Sequence, residues 1–188
     1  MKQHILKIIP LVIIANVISA AGLNAAEIDG RYFKESLTAD NTTLNLTGVG
    51  LLRYWGFKAY VGAFYLEEGC TIEEALSDRA KRIEIEYQRP IQGKDFGPAT
   101  NKCIAINLDQ EIDQRLRPQI DFHNSLYEDV QPRDRYSLTY IPGKGTELAL
   151  NGEPKGIIEG AEFAAALFSI WLGPDPLNQS FKNQILSL

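Results

Sequence analysis

Gly48-Val49-Gly50-Leu51-Leu52-Arg53-Tyr54-Trp55-Gly56-Phe57-Lys58-Ala59-Tyr60-Val61-Gly62-Ala63-Phe64-Tyr65-Leu66-Glu67 reads as two adjoining apolar strands that carry one arginine and several tyrosines. Both halves are rich in the aliphatic and aromatic residues that suit a pleated, half-buried surface. Gly56-Phe57 fits the central pair of a two-residue type II′ turn, in which glycine takes the first position. In that register Trp55 faces Lys58, and Arg53 lies directly across from Tyr60. Side chains so paired share one face, about 5 Å apart at Cβ. Arg53 would then offer a bidentate charged fork and Tyr60 a phenol donor, a clamp suited to a ligand carboxylate. The structural alternative is that Arg53 pairs with an acid and Tyr60 packs its ring in the core. A longer loop at Trp55–Lys58 would shift the register and break the pairing.

Outward from this hairpin, Thr42 to Thr47 alternates threonine, leucine and asparagine, which is strand periodicity with Leu44 and Leu46 on one face. Residues 27–41 are polar and read as a short strand plus loop. Thr71 followed by Glu74 is a capping box for a short helical turn over Ile72–Leu76. Arg82 to Gln88 alternates again, with Ile83, Ile85 and Tyr87 opposite Arg82, Glu84 and Glu86, a half-buried strand with a charged outer face. Helical character runs from about Lys94 to Glu128, with Ile112, Leu116, Ile120 and Tyr127 on one stripe and His123 along it. Pro118 inside that pattern implies a kink or a second helix starting near Arg117. A strand from Arg133-Asp134 to Ile141, a turn at Pro142–Gly145, a strand over Thr146–Leu150 and the hairpin signal Asn151-Gly152 form a three-strand meander ending near Ile158. Ala161–Leu172 is almost wholly apolar and reads as a buried helix. Asp175-Pro176 reads as the start of a last helix carrying Leu177, Phe181, Ile185 and Leu188. This order fits an antiparallel sheet covered on one side by helices, not alternating βαβ units.

Residues 1–26 have the pattern of an export signal: basic Lys2, His4 and Lys7, an apolar run from Ile8 to Ile18, then small residues. The run is too short and interrupted to span a bilayer comfortably. Cleavage after Ala21 satisfies the small-residue rule through Ser19 and Ala21; cleavage after Ala26 puts Asn24 three positions back but is slightly preferred because structured sequence begins only later, so that residues 27–188 form one mature domain in the periplasm without a stable membrane anchor. Removing Lys2 and Lys7 takes 19 basic side chains to 17 against 24 acidic ones, a charge of −7. Such a chain, with no basic run, is a poor partner for nucleic acid. Cys70 and Cys103 could be bridged in an oxidising compartment or remain two separate buried thiols. His123 is the one histidine of the mature chain, which removes histidine clusters and ordinary histidine-based triads. No motif implies a metal, nucleotide, haem or other cofactor, and nothing points to a particular protein partner.

Four stretches in order resemble the bacterial, exported branch of the chalcone isomerase-like proteins. They are Gly48-Val49-Gly50 with Arg53 and then Phe57–Leu66; Leu116-Arg117-Pro118-Gln119-Ile120-Asp121; Tyr140–Thr146; and Gly156–Gly160 through Ser169-Ile170-Trp171-Leu172-Gly173. The resemblance implies an α+β fold, an open-faced β-sandwich whose large antiparallel sheet packs on a helical layer with a ligand cleft between. It also implies a set of site positions. Arg53 is similar to the family's site arginine. Tyr60 stands where the isomerases carry a threonine and where the fatty-acid-binding relatives carry a tyrosine that helps hold a carboxylate. Asn101 resembles the site asparagine, and Ser169 lies within one residue of the C-terminal hydroxyl position. Phe96 is nearest to the catalytic tyrosine and lacks its hydroxyl. The resemblance therefore implies a non-catalytic protein binding a fatty acid or other small apolar carboxylate through Arg53 and Tyr60. The alternatives are an interaction protein with its cleft filled by Trp55, Trp171 and Phe168, and an isomerase closing a chalcone.

Overall fold

A computed structural model describes residues 25–54 and 56–188. The chain runs β1 (Ala25–Ile28), β2 (Arg31–Lys34), β3 (Ser36–Ala39), β4 (Thr42–Tyr54), β5 (Phe57–Glu67), a single 3-10 turn (Ile72–Glu74), β6 (Lys81–Tyr87), α1 (Gly93–Asn107), α2 (Gln110–Ser125), β7 (Arg135–Ile141), β8 (Gly145–Leu150), β9 (Glu153–Ile158), α3 (Ala161–Leu172) and α4 (Gln179–Ile185). Strands β3 to β9 form one antiparallel sheet in chain order, and β1 pairs with β2 as a separate hairpin. Helices cover one face of the large sheet, giving the α+β open-faced sandwich.

The centre of the sheet explains why β5 reads as a nearly unbroken apolar run: both of its faces are buried. Tyr60, Phe64 and Leu66 join the core shared with the helices, against Phe163, Leu167 and Phe168 of α3. Val61, Ala63 and Tyr65 join a second core with Phe33 of β2 and Leu44 of β4 on the opposite face. The β1–β2 hairpin is thus a lid on that face, where the sequence suggested one short strand and a loop.

That lid also changes the meaning of the charged side of β6. Glu84 and Glu86 are 6% and 7% exposed, not on an open outer face. Arg135 bridges both, with Nη1 2.9 Å from Glu84 and Nη2 2.6 Å from Glu86, while Arg82 reaches Glu84 at 2.9 Å and Arg31 of β2 pairs with Glu86. Alternating carboxylates can be buried when each finds a guanidinium partner.

Other expectations shift in detail. The two strand segments before the tip are one 13-residue strand, β4. The second helix starts at Gln110 behind Asp109 and keeps Pro118 inside it. The last helix starts later than Asp175-Pro176, because Asn178 caps it by accepting a 2.8 Å hydrogen bond from the Phe181 N–H. Asn151 and Gly152 take φ of 53° and 84°, the left-handed pair that a type I′ hairpin needs.

Two glycines of β4 let α4 lie against the sheet. A Cβ at Gly48 would stand 2.4 Å from the Gln184 carbonyl oxygen, and one at Gly50 would stand 2.9 Å from the Phe181 ring. Phe181 in turn meets Tyr60 edge to face at 5.2 Å. The glycine pair thereby fixes the wall beside the site. The export pattern of residues 1–26 lies almost wholly outside the described residues. Ala25 and Ala26 are described, and pair with Lys34 and Phe33 in the hairpin.

Candidate functional site

A cleft of about 210 Å³ lies between the helix-facing side of the sheet and helices α1 and α3. Its floor is Tyr60, Ile83, Ile85, Tyr87 and Tyr136 from adjacent strands; Phe96 and Thr100 of α1 and Ile170 and Trp171 of α3 form its walls. Asp95 and Ala99 are exposed lining residues and mark the mouth. Among the described residues no lysine, arginine or histidine lines the cleft.

The strand registers place the phenols. Tyr60 of β5 pairs with Tyr87 of β6, so both side chains rise from the same face, with ring centroids 6.0 Å apart. Tyr87 also sits edge to face with Phe96 at 5.6 Å, and Phe96 stacks on Tyr127 at 4.7 Å. Burial raises the pKa of Tyr60, Tyr87, Tyr127 and Tyr136, so all four are neutral donors at ordinary pH.

Their hydroxyls are not equivalent. Tyr136 accepts from the Glu128 N–H at 2.8 Å and donates to the Glu128 carbonyl at 3.3 Å. Tyr127 has Thr100 beside its hydroxyl. Tyr60 accepts from the Trp171 indole N–H at 3.2 Å, which leaves its own proton to give. Tyr87 has no hydrogen-bond partner among the described residues. Two phenol donors on the lining of an apolar chamber therefore have no acceptor among the described residues.

Of the residues singled out in the sequence, Tyr60 lines the cleft and Arg53 does not. Tyr54 pairs with Phe57 and Arg53 with Lys58, and a bulge then sets Leu52, not Arg53, across from Tyr60. The strands therefore still pair at Tyr54 and Phe57, where the expected turn would have placed Phe57 at its centre. A one-residue slip sends a side chain to the other face, so Arg53 shares the face of Lys58, which pairs with Asp29 of the β1–β2 lid. Arg53 is exposed at the tip, without an ion pair or hydrogen bond among the described residues, so the alternative of a buried ion pair is not formed either. The Arg53–Tyr60 clamp does not exist.

Asn101 faces α2 instead, its Oδ1 accepting from Asn124 Nδ2 at 2.9 Å. Ser169 is buried within α3 and donates to the Ala166 carbonyl at 2.7 Å. Neither lines the cleft. Cys103 lines it, but Cys70 lies beyond the end of β5, and both are free thiols, so the bridge considered from the sequence is not formed. Burial pushes both thiols up. Phe168 is fully buried against Phe64, and Trp171 lines the cleft without closing it.

Tyr87 is the cleft residue to which the sequence gives no site role. It shares the alternation of Ile83 and Ile85, and a tyrosine ending an apolar face is the signal that could have found it. Among the described residues no group of histidine, cysteine or acidic side chains could hold a metal, and no helix is long and apolar enough to cross a membrane.

The comparisons agree with this architecture. No curated protein matches the chain in sequence. In structure it is similar to a fatty-acid binding protein of Arabidopsis thaliana, with a TM-score of 0.69 over 86% of this chain and 95% of that one, at 14% identity. At that identity the likeness speaks to the fold alone. Residues 25–187 match the family profile described as chalcone isomerase-like, and the chain belongs to that family.

Proposed function

We propose that this protein binds a small apolar molecule in the cleft between sheet and helices and does not catalyse its conversion. The observation that carries the reading is the unfilled cavity of about 210 Å³ with aromatic and aliphatic walls. A dry apolar cavity of about 150 Å³ takes up benzene, so this one suits a single ring with a few further atoms. The relative from Arabidopsis is named for fatty acids; here such a chain would be enclosed only in part. The isomerase alternative loses support from Tyr60 at the threonine position, Phe96 at the tyrosine position and an Arg53 off the cleft. The filled-cleft alternative loses support because Trp171 and Phe168 leave the chamber open.

The export pattern of the N-terminus supports a periplasmic location. Cleavage after Ala21 leaves β1 whole, whereas cleavage after Ala26 removes two of its four residues. We place the cut after Ala21.

Thermal unfolding of the mature protein with a panel of single-ring apolar compounds tests the reading. Ligands that bind the folded state alone raise the melting temperature with concentration. The wild type should show a saturable rise, and Ala99→Trp, which blocks the mouth from an exposed position, should show none. Absence of any saturable rise in the wild type would overturn the binding reading.

A further inference from the structure

We infer that the cleft selects an uncharged ligand bearing a hydrogen-bond acceptor, such as an aryl ketone, aldehyde or ester, and rejects a carboxylate of the same size. This rests on the binding reading above and adds the chemical class.

Tyr60 and Tyr87 stand as a cross-strand pair, 8% and 7% exposed, and both line the chamber. The Tyr60 hydroxyl oxygen is engaged by Trp171, so Tyr60 is oriented as a donor. The Tyr87 hydroxyl is free to donate. A buried donor without an acceptor is costly, and a carbonyl oxygen entering between the two phenols would satisfy both. A carboxylate would bring a full charge into apolar surroundings, where charge is retained only when paired. The nearest fixed charge on the lining is Asp95, of the wrong sign, and the arginine that could have paired lies at the hairpin tip on the other face.

The geometry also sets the size of the ligand. One ring fills most of the chamber, which places the acceptor at the sheet and any substituent toward Asp95 and Ala99 at the mouth.

The test is calorimetric titration at pH 7 of the mature protein with toluene, acetophenone and benzoate, which share a ring and differ in the polar group. Toluene should bind, acetophenone should bind about tenfold tighter or more, and benzoate should bind more weakly than toluene. Tyr60→Phe and Tyr87→Phe should each shrink the ratio of acetophenone to toluene affinity within the same variant toward one; a ratio unchanged in both would overturn the inference. Arg53→Ala should change none of the three. Acetophenone no tighter than toluene would overturn the inference while leaving the binding reading in place. Benzoate tighter than acetophenone, with the gain lost in Arg53→Ala, would overturn it in favour of a carboxylate clamp. No binding of any of the three would sink the binding reading itself, and this inference with it.

Discussion

Phe181 holds the last helix to the sheet and stands beside the site, so its removal should be felt in a defined way. The side chain is 1% exposed, rests against Gly50 and meets Tyr60 at 5.2 Å. Truncating a buried phenylalanine to alanine costs about 3–5 kcal/mol. For a domain of this size each kcal/mol moves the melting temperature by about 2–4 °C, so Phe181→Ala should melt roughly 6–20 °C lower. Gly50→Ala should be destabilising by the opposite fault. Its Cβ would stand 2.9 Å from Phe181 Cδ2 and 3.0 Å from Ile185 Cγ2, an overpacking worth about 1–3 kcal/mol. The two effects share one contact. With the Phe181 ring gone, part of the Gly50→Ala penalty disappears, although Ile185 remains. The double variant should therefore be more stable than the sum of the singles by about 0.5–3 kcal/mol. Urea unfolding of the four proteins measures this coupling. Strict additivity, or a Phe181→Ala loss under about 1 kcal/mol, would refute the claim that the glycine pair seats α4 on the sheet.

Other outcomes follow from single contacts. Arg135→Met should leave Glu84 and Glu86 with one guanidinium each and cost about 3 kcal/mol, somewhat reduced because the Arg135 side chain is 29% exposed; urea unfolding would read it, and no loss would show the lid face to be well hydrated. His123 is fully buried with no well-aligned hydrogen bond to either ring nitrogen, and burial, offset only in part by the Asn124 side chain beside it, lowers its pKa from 6.5 to about 4. Between those values the unfolded chain takes up a proton that the folded chain refuses, so stability should fall as pH drops through that window, by about 3 kcal/mol at its lower end. His123→Phe should lack this component, and parallel stability curves for the two proteins between pH 7 and 4 would contradict it. Ellman titration of the denatured, unreduced mature protein should find two thiols; none would mean that Cys70 and Cys103 are joined. Intact mass of the exported protein should place Gly22 at the N-terminus, and a start at Glu27 would show that β1 is cut.

Much of the sheet was legible because a two-residue period is visible when one face is buried. The meander from β7 to β9 and the helix Ala161–Leu172 appear at their expected places. The β1–β2 lid was not legible, because Phe33 alone among polar neighbours gives no periodic signal, and its covering of Glu84 and Glu86 is a long-range event. The site was half legible. Tyr60 could be named from its strand, but its partner depended on strands still paired at Tyr54 and Phe57 and on a bulge between Leu52 and Arg53. Local sequence carries little information about such a slip, since both registers offer alternating residues. Tyr87 becomes a site residue only when β6 lies beside β5.

Benzene titration of the isotopically labelled mature protein, followed by NMR, tests the central claim most directly, because it asks about the chamber before any polar group is involved. The account predicts saturable shifts gathered on the Trp171 indole and the methyls of Ile83, Ile85 and Ile170, with those at Lys58 and Arg89 near the hairpin tip unmoved. Shifts confined to the tip, or none up to the solubility limit of benzene, would contradict it.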